Sequence, residues 1–543
     1  MLRESSINTE KTIFERVQAP KIRQSLNETV SERKTVLWLW LAGIILRAAV
    51  FLLFPNELVA SADQVRIIQL ARHFAAGDFY GVLDVYWAPL YPLVIGIVAS
   101  VVDSLIVPAI IVSIVAGSFA VPLTYFLVKQ SYGRREAKIA ALIAVFYPHL
   151  LNSVFALGTE NVYLIWIVGA LIVGWKGLQK NSPQNFFFAG ALLGLGYLTR
   201  PEAFAYPAFF ALVAAAKSWQ QKKLLTRIVW RQIGAVLLGF TIFAAPYLYY
   251  LRSATGGWTI SAKIEANLAA EGWDETEDSA PPPSNVKEHV YRYVRPFVIA
   301  LVKIHQSFPN LFPLFLLIFV ALGLFGEPWK KKRFEREIYL ILFCALTFAG
   351  YAATVVQNRY FYILLPILFG WTARGIVRSE KWLRATGQNL LRPSFSRAKF
   401  LRLINAKSFV SLCLIAIYLY VLPLNFFAHS RDKAWQTTAY EERDAGLWLK
   451  AHSAPAAIVF SASQRPTFYA EREQLTPATT NLAEILNQIK NSKVDYVITS
   501  ARSLLRHPYL DGLPAILQNS PEFELVYQKN DTPDYEIAIY KLK

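Results

Sequence analysis

Charged side chains interrupt apolar sequence at three short turns. Glu160 follows Gly158-Thr159 and precedes an apolar run. Arg200 and Glu202 lie in GYLTRPEAF (196–204), between NFFFAGALLGL (185–195) and AYPAFFALVAAA (205–216). Arg359 lies in Gln357-Asn358-Arg359-Tyr360. A carboxylate holds or takes a proton and a guanidinium offers a fixed fork of donors, so these groups on one face would support acid–base and ionic chemistry. Each turn alone is also explained as a polar hairpin tip, with Arg200 and Glu202 as an interfacial pair; convergence of all three is the sharper reading. A further carboxylate, Asp63, opens ADQVRIIQLARHFAA (62–76). Here Asp63, Arg66, Gln69 and His73 share one helical face and Ile67, Ile68, Ala71 and Phe74 the other, while Val65 and Leu70 fit less cleanly. Asp63 is the candidate base. Its plainer role, helix N-cap, is compatible with that one.

The elements that must position these groups follow from hydropathy. The chain is 54% hydrophobic and 17% charged, the composition of a polytopic membrane protein. A straight helix over 185–216 would be about 48 Å long at 1.5 Å per residue, against a hydrocarbon core of ~30 Å. Pro201 disfavours helical dihedrals at Arg200, so the expectation is two segments with Arg200 at the turn. An arginine at mid-membrane costs roughly 2.5–3.5 kcal/mol on insertion scales, which a recessed, water-filled pocket lowers. The expected spans are 36–54, 108–128, 138–157, 160–175, 185–199, 202–216, 232–251, 308–326, 337–356, 359–377 and 408–427. With a cytoplasmic N-terminus (1–35) the C-terminus then lies outside. Of 56 Lys and Arg, 32 fall in segments 1–35, 129–138, 176–184, 217–231, 327–336 and 374–407. All of these map to the cytoplasmic side, as the positive-inside rule requires. The net charge of +18 is therefore a topology signal directed at membrane lipids, not at nucleic acid.

PLYPLVIGIVASVV (89–102) would invert every later loop if it crossed, and is read as re-entrant or interfacial. The first outer loop (55–107) contains the Asp63 helix, read as amphipathic on the outer interface. A proline-rich acidic stretch, EGWDETEDSAPPP (271–283), belongs to a second outer loop. The overall expectation is a mainly α transmembrane domain over 36–427, followed by a small extracytoplasmic α/β domain over 428–543. That domain has strand-like stretches at 457–460, 494–499, 523–527 and 535–540. Cys344 and Cys413 lie in apolar runs, with no disulfide framework and no metal-ligand spacing. His149, within the third span, reads as a helix–helix hydrogen bond sooner than as a ligand.

In order along the chain, Asp63, PLYPL (89–93), Thr159-Glu160, GLGYLTRPE (194–202) and RYFYILLP (359–366) resemble the polytopic glycosyltransferases of the C-type fold. That group includes glycosyltransferase family 39, the protein O-mannosyltransferases and the lipid A aminoarabinose transferase. The resemblance implies transfer of a sugar from a polyprenyl-phosphate donor to a lipid, glycan or protein acceptor, outside the cytoplasm and with inversion. It maps the family's loop-one base onto Asp63. Some members carry paired acids there. Gln64 stands at that position here, so a divalent cation is an open question and no dedicated metal cage is visible.

The chemistry agrees with that implication. A carboxylate must take the acceptor hydroxyl proton, for which Asp63 is the candidate. Cations must meet the charge developing on the departing phosphate, for which Arg200 and Arg359 are the candidates. Glu160, Glu202 and Tyr360 would support or orient them. Tyr86, Trp87 and Tyr91 are candidate sugar-stacking residues, with interface anchoring as the alternative. The lipid tail needs an apolar groove opening to the bilayer. Rival readings are a transporter or lipid flippase, which would show repeated halves, another polyprenyl-linked glycan ligase or polymerase, and a non-enzymatic assembly subunit.

Overall fold

A computed structural model describes residues 30–53, 61–220, 226–263, 295–352, 357–390, 412–417, 439–530 and 535–543. The acidic stretch at 271–283 and most of the expected span 408–427 lie outside these residues. The chain divides into two compact units, Met1–Leu52 with Phe79–Leu422, and Leu53–Asp78 with Pro423–Lys543.

The first unit is helical. Among the described residues, Val30–Leu53, Val107–Tyr132, Glu160–Lys180, Arg227–Thr255 and Asn358–Ala385 are each long and apolar enough to cross a membrane. Two bent pairs raise the candidate crossings to seven, against the eleven expected. The chain is a multi-pass membrane protein, and one of the eleven expected spans, 408–427, lies mostly outside the described residues. The expected span 138–157 is broken at Tyr147, where Pro148 starts a new helix bent by 43° from the first. The expected spans 185–199 and 202–216 are two helices of 15 residues, Pro183–Tyr197 and Tyr206–Gln220. Each is about 22 Å long at 1.5 Å per residue, short of the hydrocarbon thickness. The stretch expected to be re-entrant is a helix of 10 residues, Leu90–Ala99, also too short to cross.

Close backbone packing fixes the hairpin that carries Arg200. Pro183–Tyr197 lies against Arg227–Thr255 so tightly that a Cβ on Gly190 would meet the Val236 carbonyl oxygen at 2.1 Å. One on Gly239 would meet the Phe187 carbonyl oxygen at the same distance. The glycines of the apolar run are thus required where two membrane helices touch backbone to backbone.

The second unit is an α/β domain with strand order β2-β1-β3-β5-β4. Its strands are β1 (Ile458–Ser461), β2 (Glu473–Leu475), β3 (Tyr496–Ser500), β4 (Phe523–Lys529) and β5 (Ile537–Leu542). β2, β1 and β3 are parallel, whereas β5 runs antiparallel to β3 and β4. Alternation sends Val497 to a core with Ile485, Ile489 and Leu517, and Ile498 to the opposite core with Ala445, Leu449 and Ile539. Strand β2 has three residues and one apolar side chain, which is too short for periodicity to register.

Helix Ala62–Ala75 belongs to this second unit, not to the membrane helices that flank it in sequence. Its buried face is wider than a one-sided amphipathic pattern: Val65, Ile67, Ile68, Leu70 and Ala71 are all buried, as is Gln64. The cap is Ser61, whose side chain accepts from the Gln64 backbone while the Gln64 side chain accepts from the Ser61 backbone. Asp63 is therefore not the cap.

Candidate active site

The site of the membrane unit grows from the turn at Arg200. The helix Pro183–Tyr197 ends with the Arg200 amide donating to the Gly196 carbonyl at 2.8 Å. Arg200 then adopts an extended backbone (φ −150°, ψ 131°), and Pro201–Ala205 forms a 3-10 turn, the break that Pro201 dictates. The Leu90 amide donates to the Leu198 carbonyl at 2.8 Å, which attaches the short Leu90–Ala99 helix to the same turn.

Arg200 is only 5% exposed, and a buried guanidinium must be paired. Its Nη2 and Nε donate to Glu202 at 2.8 and 3.3 Å. Its Nη1 donates to Glu160 Oε1 at 3.0 Å and to Thr159 Oγ1 at 3.4 Å. The same Glu160 oxygen lies 3.3 Å from Arg359 Nε. The Tyr360 ring sits 4.1 Å from the Arg200 guanidinium carbon and 5.7 Å from that of Arg359. The three turns thus meet in one cluster of Glu160, Arg200, Glu202, Arg359 and Tyr360. Tyr163, one helical turn beyond Glu160, adds a second ring 5.7 Å from Arg200. It escaped the sequence reading, although its i+3 spacing from Glu160 is the signal that finds it.

The two arginines differ. Arg200 spends its donors on carboxylates. Arg359 donates through Nε to Gln357 at 2.8 Å, its side chain is 37% exposed, and its two terminal nitrogens have no hydrogen-bond partner among the described residues. It presents the open fork that a phosphate oxyanion fits.

The aromatic candidates separate as well. Asp84 Oδ1 accepts from the Tyr86 and Trp87 amides at 2.8 and 3.0 Å, an Asx-type turn that fixes both residues. The Lys263 ammonium lies 3.8 Å from the centre of the Trp87 ring and 5.4 Å from that of Tyr86, and close enough to Glu202 to act on its charge. Both rings are partly exposed. Tyr91 is fully buried, because the Leu90–Ala99 helix turns it into the protein. It has no free face for a sugar, which corrects the expectation for that residue. His149 Nε2 lies 2.7 Å from the Asn310 carbonyl oxygen, the helix–helix contact expected of it.

Asp63 stands in the other unit, at the second position of its helix and exposed. Its carboxylate has no hydrogen-bond partner among the described residues. Among those residues no three His, Cys, Asp or Glu side chains are grouped to hold a metal ion.

Residues 87–250 match the family model described as dolichyl-phosphate-mannose-protein mannosyltransferase, a stretch that contains Glu160, Arg200 and Glu202. No curated protein sequence matches the chain. Among solved structures, ArnT from Cupriavidus metallidurans bound to undecaprenyl phosphate is similar with a TM-score of 0.56 and 12% identity, over 95% of this chain and 98% of that one. The archaeal oligosaccharyltransferase AglB from Archaeoglobus fulgidus, in complex with an inhibitory peptide and a dolichol-phosphate, gives 0.51 and 14%, over 95% of this chain and 74% of that one. At such identities the likeness establishes the fold: this chain has the C-type glycosyltransferase architecture, with a small C-terminal sheet domain.

Proposed function

We propose that this chain transfers a sugar from a polyprenyl-phosphate-linked donor to an acceptor hydroxyl on the extracytoplasmic face of the cell membrane, with inversion at the anomeric carbon. The observation that carries the reading is the meeting of three separate turns in one half-open arginine–glutamate cluster. Arg359 takes the donor phosphate on its free edge, and its charge stabilises the polyprenyl phosphate as it departs. Arg200, Glu160 and Glu202 form the buried frame that orients Arg359 and Tyr360. Tyr86 and Trp87, fixed by Asp84, offer ring edges and faces to the sugar.

Asp63 accepts the acceptor hydroxyl proton as that oxygen bonds to the anomeric carbon. The bond from that carbon to the phosphate oxygen breaks, and the leaving phosphate needs no separate acid. A cavity of about 680 Å³ supports the reading on the lipid side. It is lined almost wholly by apolar groups, among them Trp175, Phe209, Leu212, Tyr339 and Leu342. These belong to helices Glu160–Lys180, Tyr206–Gln220 and Lys331–Ala352, the first two of which begin at or just after site turns. An isoprenoid tail fits this chemistry. The relatives add support, one bound to undecaprenyl phosphate and one to a dolichol-phosphate.

The test is donor binding by Arg359→Ala. Loss of a charge-assisted phosphate contact worth about 1.5–3 kcal/mol raises the donor Kd roughly 10- to 150-fold with folding intact. Unchanged affinity would assign Arg359 to the hairpin alone.

A further inference from the structure

The proposed chemistry leaves the C-terminal domain without a task. We infer that this domain is the mounting that positions Asp63, through the packing of helix Ala62–Ala75 against helix Gln464–Ala470 and through Arg72 and Glu471 as positioning residues. The inference rests on the reading of Asp63 as the base.

The helix packs against Gln464–Ala470 inside the second unit. At its start, the Ser61–Gln64 capping box fixes the first turn, so the backbone that carries Asp63 is set two residues from a doubly bonded cap. Along its middle, Val65, Leu70 and Ala71 are at most 1% exposed, and Ile67 and Ile68 are 3% exposed. At its end, Arg72 Nη2 lies 3.6 Å from Glu471 Oε2. Glu471 is itself a fixed point. It ends the helix that connects β1 to β2, in a left-handed backbone conformation (φ 52°), and it pairs with Lys450 from helix Tyr440–His452. The neighbouring Arg472 donates to the Ser453 hydroxyl at 2.9 Å and the Ser453 carbonyl at 2.8 Å, which locks this corner to the same helix. His73 and Asp78, 2.9 Å apart, close the exit of the loop-one helix. A carboxylate carried on a helix mounted in this way is delivered from a fixed backbone position, and such placement is part of what a general base supplies.

An exposed ion pair that only stabilised the domain would leave turnover untouched, since such pairs contribute little. The experiment is a double-mutant cycle on the full-length protein in membranes, with Arg72→Gln, Glu471→Gln and the pair. Each variant is read as kcat, donor KM and thermal stability, with Asp63→Asn and Arg72→Lys alongside. The expected result is that each single variant lowers kcat two- to five-fold at unchanged donor KM. The double variant loses no more than either single, because the two residues act through one another, and Arg72→Lys keeps most of the activity. Leu70→Ala, which loosens the packing, lowers kcat in the same way. Native kcat in all of these variants, with Asp63→Asn inactive, would overturn the mounting and leave the base in place. An active Asp63→Asn would overturn the base and the mounting with it.

Discussion

At the scale of single residues, the site is a balance between one guanidinium that is consumed and one that is left open. Arg200 is buried with two carboxylates on it, and removing one partner of a buried pair strands the other, at about 3–5 kcal/mol. Arg200→Lys is therefore a severe change: an ammonium cannot serve Glu202 through two nitrogens and Glu160 through a third. Its expected signature is a lower unfolding temperature together with weakened donor binding. A native unfolding temperature would show that the Arg200 frame carries no structural load. Much of this cluster was legible in sequence, since charge at a turn in apolar sequence has few explanations and Pro201 makes the turn at Arg200 nearly obligatory. The division of labour between Arg200 and Arg359 was not, because it depends on which turn lies deeper. Tyr91 misled for a related reason. An aromatic in an outer segment suggests a binding face, but the Leu90–Ala99 helix rotates it inward.

At the scale of elements, glycines and prolines decide the geometry. Gly190 and Gly239 let two membrane helices touch at the backbone, which holds the Arg200 turn in register. Gly239→Leu forces those helices apart and costs roughly 1–3 kcal/mol of overpacking strain. It lowers stability and displaces the Arg200 turn, which a thermal-unfolding measurement paired with donor binding detects. Unperturbed values for both would contradict the packing. Hydropathy alone found these helices but not their lengths, because it sums apolar sequence and does not see that 185–216 folds as two 15-residue helices joined by a turn. The Asp63 helix shows the opposite limit. Its extra buried residues, Val65 and Leu70, spoiled a one-face pattern in the sequence, and the helix it packs against, Gln464–Ala470, lies about 400 residues further along the chain.

At the scale of the whole molecule, a helical membrane unit and an α/β unit each carry part of the proposed chemistry. The α/β unit has its own pH dependence. The Lys450 side chain, hydrogen-bonded to Glu471, holds that carboxyl below its ordinary value near 4.5, with Arg72 adding to the effect. A depressed carboxylate contributes stability that is present above the unfolded value and lost as pH falls through the folded one. The unfolding temperatures of the native chain and Glu471→Gln should therefore differ at neutral pH and converge in acid below the ordinary glutamate value, and a gap independent of pH would contradict the pairing. The central claim, that a mounted carboxylate and a half-open arginine cluster move a sugar from a lipid phosphate, is tested most directly by one measurement. Purified native chain and Asp63→Asn are each given a labelled polyprenyl-phosphate sugar, and donor binding and single-turnover transfer are followed together. The account predicts equal binding by both proteins and a transfer rate about 10²- to 10⁴-fold lower in the variant, the usual range for loss of a general base. Transfer by Asp63→Asn at the native rate, or native protein that binds the donor and never cleaves it, would contradict it.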